Sequence, residues 1–113
     1  MTPAQDLPHP TRDEIALENV LFALSDPDRL TIARQLQDGP LDASNCVPWD
    51  PSMPKSTKSH LMKVLREAGV IRSEAHGRHR TLTLRRDDLD SRYPGLLDAI
   101  LGVPDGSTPP AAR

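Results

Sequence analysis

Proline and glycine cut this chain into short pieces, and that punctuation constrains the fold more than anything else in it. Twelve prolines and six glycines occur in 113 residues. Pro27, Gly39-Pro40, Pro48, Pro51, Pro54, Gly69, Gly77 and Pro94-Gly95 fall between stretches of periodic apolar residues. A proline removes a backbone donor and clashes inside a helix, and a glycine accepts the left-handed conformation that ends one. Only short helices and a hairpin fit between these stops.

Thr11 to Leu24 is a helix, capped by Thr11 or Asp13, with Leu17, Val20, Leu21 and Leu24 at helical spacing. Asp26 caps the next helix and Pro27 takes its first position. Leu30, Ile32, Ala33 and Leu36 form its apolar face, and Gly39-Pro40 ends it. Leu41 to Met53 is irregular, with room for one turn of helix around Asp42 to Val47. Lys55 to Ala68 is a helix with Leu61, Met62, Leu65 and Ala68 inward and Gly69 as its stop. A strand runs from Val70-Ile71 to about Glu74. Ala75 to Arg78 is a turn, and Arg80 to Leu84 returns with period two. A last helical region starts at Asp87 or Asp88 and breaks near Pro94-Gly95. Leu96, Leu97, Ile100 and Leu101 form its apolar face. Residues 1–10 read as a flexible arm, 11–101 as one folded domain and 102–113 as a disordered tail.

Charge is segregated along the chain. Residues 1–53 hold 3 basic and 9 acidic side chains, residues 54–86 hold 9 basic and 2 acidic, and residues 87–113 hold 2 basic and 5 acidic. A cationic third between anionic flanks marks a binding surface for a polyanion. The alternative is a solvated charged face with no partner.

The order helix, helix, broken segment, helix, hairpin, helix is that of a winged helix-turn-helix, mainly α with a small β-hairpin. Two stretches resemble a known family: Leu24-Ser25-Asp26-Pro27-Asp28-Arg29-Leu30-Thr31-Ile32, and residues 56–71. The second combines a Ser-Thr-x-Ser-His helix start with a Leu-Arg-Glu-Ala-Gly end. Both are similar to the ArsR-type (arsenic-repressor-like) transcriptional regulators of bacteria, over about residues 15–101. The resemblance implies a dimeric repressor that binds a palindromic operator in double-stranded DNA. It makes residues 55–68 the recognition helix and 71–84 the wing.

The residues support that role on their own. Lys55 and Lys58 sit in the first turns of a helix, where positive charge opposes the macrodipole and a phosphate would relieve it. Ser56, Thr57, Ser59 and His60 supply short donors and acceptors for phosphates and base edges. Lys63, Arg78 and Arg80 complete the candidate DNA-contacting set, the two arginines from the wing tip. The competing readings are helix capping by Ser56 or Thr57, and protection of a sheet edge by the arginines. Lys63, Arg66, Arg72, Arg85 and Arg86 each remain open to another role, and for Arg66 carboxylate pairing weighs as much as DNA contact. The expected dimer interface is Leu17, Leu21, Leu97, Ile100 and Leu101, from the first and last helices paired across a two-fold axis.

Two departures from the family pattern stand out. The proline-broken 41–53 replaces a supporting helix, with Trp49 the residue that would fill the lost volume. Lys58 stands where an apolar residue is usual. Cys46 is the only cysteine, so an intrachain disulfide framework is excluded. Paired metal-ligating cysteines and a histidine on the last helix are both missing, and no metal or other cofactor is expected. No phosphate loop, nucleophile turn or carboxylate pair points to an enzyme. No apolar run reaches the roughly 18 residues of a membrane span, and the N-terminus lacks a secretory pattern. The expected setting is the cytoplasm and the expected inducer is unknown. Alternatives are a winged-helix protein-interaction module and a redox- or metal-responsive repressor using Cys46.

Overall fold

Helix-stop chemistry and a buried leucine-rich stripe set the architecture. The computed structural model describes residues 7–45 and 52–102. Cys46, Trp49 and most of the proposed tail lie outside these residues. Five α-helices, α1 (Leu17–Ala23), α2 (Pro27–Gln35), α3 (Lys55–Glu67), α4 (Arg86–Arg92) and α5 (Leu96–Leu101), are joined by β1 (Leu41–Asp42), β2 (Ile71–His76) and β3 (His79–Leu84).

The α1–α2 corner follows the sequence reading. Asp26 caps α2 by accepting from the Arg29 N–H at 3.1 Å, and Pro27 occupies the first turn. Arg29 is itself buried. Its Nε donates to the Ala23 carbonyl at 2.7 Å and its Nη2 to the Phe22 carbonyl at 3.3 Å. The guanidinium therefore satisfies carbonyls at the end of α1 that the helix cannot. The second helix gives way after Gln35 to a 3₁₀ turn, Leu36–Asp38, before Gly39.

The expected helix from Thr11 to Leu24 is not continuous. A 3₁₀ turn, Arg12–Glu14, is followed by extended backbone at Ile15 and Ala16 before α1 begins. Ile15 is 1% exposed. Its carbonyl accepts from the Tyr93 hydroxyl at 2.7 Å and from Arg92 Nη2 at 3.0 Å. Burying one isoleucine and satisfying its carbonyl from α4 outweighs two residues of helix propensity.

The α3 stop is a Schellman motif. Val70 N–H donates to the Leu65 carbonyl at 3.0 Å and Gly69 N–H to the Arg66 carbonyl at 3.0 Å, with Gly69 at φ +86°. The chain then enters the sheet, which has three strands in the order β1-β3-β2 rather than the two expected. Leu41 pairs with Leu82 and Asp42 with Thr81. A single 3₁₀ turn, Ala43–Asn45, follows β1, in place of the helical turn expected from Asp42 onward. The hairpin turn is Gly77-Arg78, shorter than expected, and the strands extend to His76 and from His79. Positive φ at Gly77 alone, the first central residue, is the pattern of a II′-type turn, whose twist matches the flanking strands.

The core is aliphatic. Ile15, Val20, Ile32, Leu65, Val70, Ile71, Leu82, Leu89 and Leu97 are fully buried. Leu97 and Leu101 belong to this core, at 0% and 4% exposure, which corrects their assignment to a dimer interface. Helix α5 folds back against α2 and α4, so Leu97 and Leu101 are consumed within one protomer while Leu96 and Ile100 stay half-buried. No helix among the described residues is long and apolar enough to cross a membrane.

Candidate nucleic-acid interface

Helix α3 presents one polar face. Lys55, Ser56, Ser59, His60 and Lys63 recur at helical spacing and are all exposed. Leu61 and Leu65 bury the opposite stripe. Thr57 is exposed at the flank of the polar face. Lys58 precedes Leu61 by three and Leu65 by seven, and it is half-buried. It shares the inward stripe, as its apolar counterparts in similar proteins would.

The helix start is open. Pro54 is the cap residue and makes no side-chain capping bond. Neither Ser56 nor Thr57 acts as the cap, so the capping alternative for these two does not hold. No acidic side chain lies in the first turn. The first-turn N–H groups and Lys55 therefore stand at a positive end that an anion would satisfy.

The hairpin stands beside this face. Cross-strand partners point to the same side of a sheet. Ile71, Ser73 and Ala75 thus share the inner side with Leu84, Leu82 and Arg80, and Arg72, Glu74 and His76 share the outer side with Thr83, Thr81 and His79. Arg78 is exposed in the turn. Arg80 is not at the tip. It lies on the inner side, and its Nη1 donates to the Ser73 carbonyl at 3.3 Å and to Ser73 Oγ at 3.1 Å. That side chain faces a groove of about 180 Å³ between α3 and the hairpin, lined also by Leu7, Ser59, Met62, Lys63 and Arg66. Lys63 of α3 and Arg80 of β3 therefore flank one groove, a juxtaposition that the sequence does not reveal. Beside the hairpin turn His79 Nδ1 lies 3.1 Å from Asp42 Oδ2. The Ser44 hydroxyl and amide, and then His79, hold the Asp42 carboxyl below the usual carboxylate range. These contacts tie β3 to β1.

The cationic stretch 54–86 is not all one surface. Arg66 is buried, and its Nη1 donates to the Pro8 carbonyl at 3.4 Å. Arg85 is buried against Asp88 at 2.8 Å and the Pro10 carbonyl at 2.7 Å. Arg86 pairs with Asp98 at 3.0 Å and Asp90 at 3.5 Å. Arg72 approaches Asp88 at 3.9 Å. Three of the four arginines left open by the sequence are thus structural. The Pro8 and Pro10 contacts also tie residues 8–10, read from sequence as part of a flexible arm, onto α3 and the end of β3.

A second exposed feature lies on α1. Leu17, Leu21 and Phe22 are exposed at 39%, 45% and 63%, and Ile100 is half-buried. Phe22 borders a groove of about 240 Å³ with Asn19, Val64, Glu67 and Ala68. The sequence reading included Leu17, Leu21 and Ile100 and missed Phe22, although it adjoins Leu21 on the same short helix. Among the described residues no cluster of three or more histidine, cysteine or acidic side chains could hold a metal ion.

The chain as a whole is similar to known proteins. The uncharacterized helix-turn-helix-type transcriptional regulator YceK of Bacillus subtilis is 32% identical over 90 residues, which is 78% of this chain and 89% of that protein. A crystal structure of an ArsR family transcriptional regulator superposes with a TM-score of 0.62 at 26% identity, covering 74% of this chain and 90% of the other. A possible transcriptional regulator for arsenical resistance does so with a TM-score of 0.58 at 25% identity, over 74% and 84% of the two chains. The transcriptional repressor BigR of Xylella fastidiosa has the same fold, with a TM-score of 0.55 at 22% identity over 74% and 84%. No protein-family model matches the chain.

Proposed function

Because the chain belongs to the ArsR family of helix-turn-helix transcriptional regulators, a family of DNA-binding proteins and not of enzymes, we propose that it acts in the cytoplasm as a homodimeric repressor on a palindromic operator. The exposed face of α3 enters the major groove, and the hairpin is the wing. Lys55, Lys63 and Arg78 contact phosphates. Ser56, Thr57, Ser59 and His60 read bases or set the register. Lys58 and Arg80 act from half-buried positions at either side, Lys58 at the helix start and Arg80 beside the groove shared with Lys63. Two recognition helices, one per protomer, fall in successive major grooves about 34 Å apart.

The observation that carries this reading is the uncapped, acid-free start of α3, on a helix whose Ser59 and Lys63 border the groove shared with the wing. A solvated helix face has no use for Lys55 at that positive end. A polyanion does, because each phosphate neutralised releases condensed counterions. The dimer contact is assigned to the exposed Leu17, Leu21 and Phe22 of α1 and the half-buried Ile100 of α5. Three exposed large apolar side chains on one seven-residue helix are more than a solvated helix needs.

The test is charge reversal at Lys55 and Lys63, both fully on the exposed face. The double variant Lys55→Glu/Lys63→Glu keeps its thermal midpoint and dimer mass and loses DNA binding by roughly two orders of magnitude at fixed moderate salt. Unchanged affinity in a fluorescence-anisotropy titration would remove α3 from the interface. A protein-interaction module in place of a regulator would show no salt-sensitive binding to random duplex DNA at all.

A further inference from the structure

We propose that Pro8-His9-Pro10 is a strap that positions the wing against α3, and that protonation of His9 opens it. Three consecutive residues reach three separate elements. The Pro8 carbonyl accepts from Arg66 of α3, His9 Nε2 accepts from the Ser73 N–H of β2 at 3.0 Å, and the Pro10 carbonyl accepts from Arg85 beyond β3 at 2.7 Å. Strand β2 is an edge in the order β1-β3-β2. Its outward Ser73 N–H has no strand partner, and the imidazole takes that place. The two prolines restrict the segment to extended backbone and carry no N–H, so the strap meets the arginines with acceptors only.

The strap borders the reading surface. Leu7, the next residue toward the N-terminus, lines the groove between α3 and the wing with Ser59, Lys63 and Arg80. A backbone strand of DNA contacted by both α3 and the wing has to pass that groove. A clasp from α3 to the wing across its border fixes its width. The inference therefore rests on the proposed DNA-reading role of α3 and the wing.

His9 is the switchable member because Nε2 accepts. A protonated imidazole has donors at both nitrogens and would set N–H against the Ser73 N–H. The charged groups around it are Arg66 from α3, Arg72 and Glu74 from β2 and Arg85 after β3. Burial first, and then Arg72, Arg66 and Arg85, hold its pKa below the ordinary 6.5, against a hydrogen bond to the Leu7 backbone that favours the charged form. The closed strap binds fewer protons than the open one. Its closing constant is greatest above pH 6.5 and falls by up to about tenfold per pH unit below that, down to the depressed value.

The experiment uses the full chain with His9, with His9→Gln and with His9→Ala, between pH 5 and pH 8. Gln offers an acceptor oxygen near the place of Nε2 and does not titrate. The first readout is the protection factor of the Ser73 amide in hydrogen exchange. It should fall with pH in the wild-type protein, stay flat in His9→Gln and be low throughout in His9→Ala. Wild-type protection that ignores pH, or that equals His9→Ala at pH 8, overturns the strap. The second readout is affinity for a random-sequence duplex about two helical turns long. The ratio of variant to wild-type affinity at each pH cancels any pH effect common to all three proteins. The affinity ratio of His9→Gln to wild type should start near one at pH 8 and rise severalfold by pH 5. A ratio that stays at one while Ser73 protection moves overturns the positioning role. The variant Lys55→Glu/Lys63→Glu, run alongside, separates a failure of the strap from a failure of the DNA-reading assignment, because Ser73 exchange does not depend on DNA.

Discussion

A β-carbon on Gly69 would lie 2.6 Å from Cγ1 of Ile15. The stop of α3 and the kink before α1 are therefore one packing unit, although 54 residues separate them in the chain. Gly69 also sits at φ +86°, where an L side chain is strained. Gly69→Ala should cost about 2–4 kcal/mol, from the left-handed penalty together with overpacking against Ile15. A urea unfolding midpoint shifted by less than about 0.5 kcal/mol equivalent would contradict the packing described.

Asp88 is the hub of the interface between α4 and the rest of the domain. Its carboxylate accepts from Arg12 Nε at 2.8 Å and lies 2.8 Å from Arg85 Nη2, and Arg85 is buried. The Arg12 hydrogen bond, and then Arg85, hold the Asp88 carboxyl below 3.8 against the opposing effect of burial. Asp88→Asn should destabilise by about 1–3 kcal/mol, the range for hydrogen bonds to charged groups. The folded state favours the ionised carboxylate, so its stabilisation is complete above about pH 4 and is lost as pH falls through the depressed value. The variant's stability should show a weaker acid dependence below pH 4 than the wild type, measured by unfolding curves at each pH.

Apolar residues of α1 and α5 should respond in opposite ways to substitution. Leu21→Ser/Phe22→Ser should produce a folded monomer by sedimentation. Each change is expected to alter protomer stability by no more than about 1 kcal/mol, since both side chains are exposed and Phe22 forgoes only its stacking under Arg29 at 5.2 Å. Leu97→Ala should instead unfold the protomer by about 2–5 kcal/mol, the cost of a core cavity. A Leu97 variant that dissociates the dimer without loss of protomer stability would contradict its place in the core.

Arg78→Ala tests the wing. This exposed turn residue should lose affinity equally for all DNA sequences and lower the slope of log affinity against log salt by about 0.9, one phosphate's worth. An unchanged slope with altered sequence preference would mean that Arg78 reads a base.

Much of the local structure was legible because it depends on local chemistry. Asp26-Pro27 starts a helix wherever it occurs before an apolar-periodic run, and Gly69 ends one because only glycine enters the left-handed region without strain. The polar face of α3 follows from helical spacing alone. The stretches that carry the family resemblance lie where the polypeptide's stops and starts are strongest.

Tertiary structure decided what sequence periodicity is blind to. An apolar residue at helical spacing looks the same whether its neighbour is the same protomer or a second one, so Leu97 and Leu101 read as interface and proved to be core. A cationic residue carries the same charge whether it meets a carbonyl or a phosphate, so Arg66 and Arg85 counted toward the basic surface and proved to be clamps on Pro8 and Pro10. The break at Ile15 and the third strand at Leu41 arise from partners 78 and 41 residues away, Tyr93 and Leu82. Hydrogen-bond satisfaction and burial are nonlocal quantities, and only the folded chain brings those partners within reach.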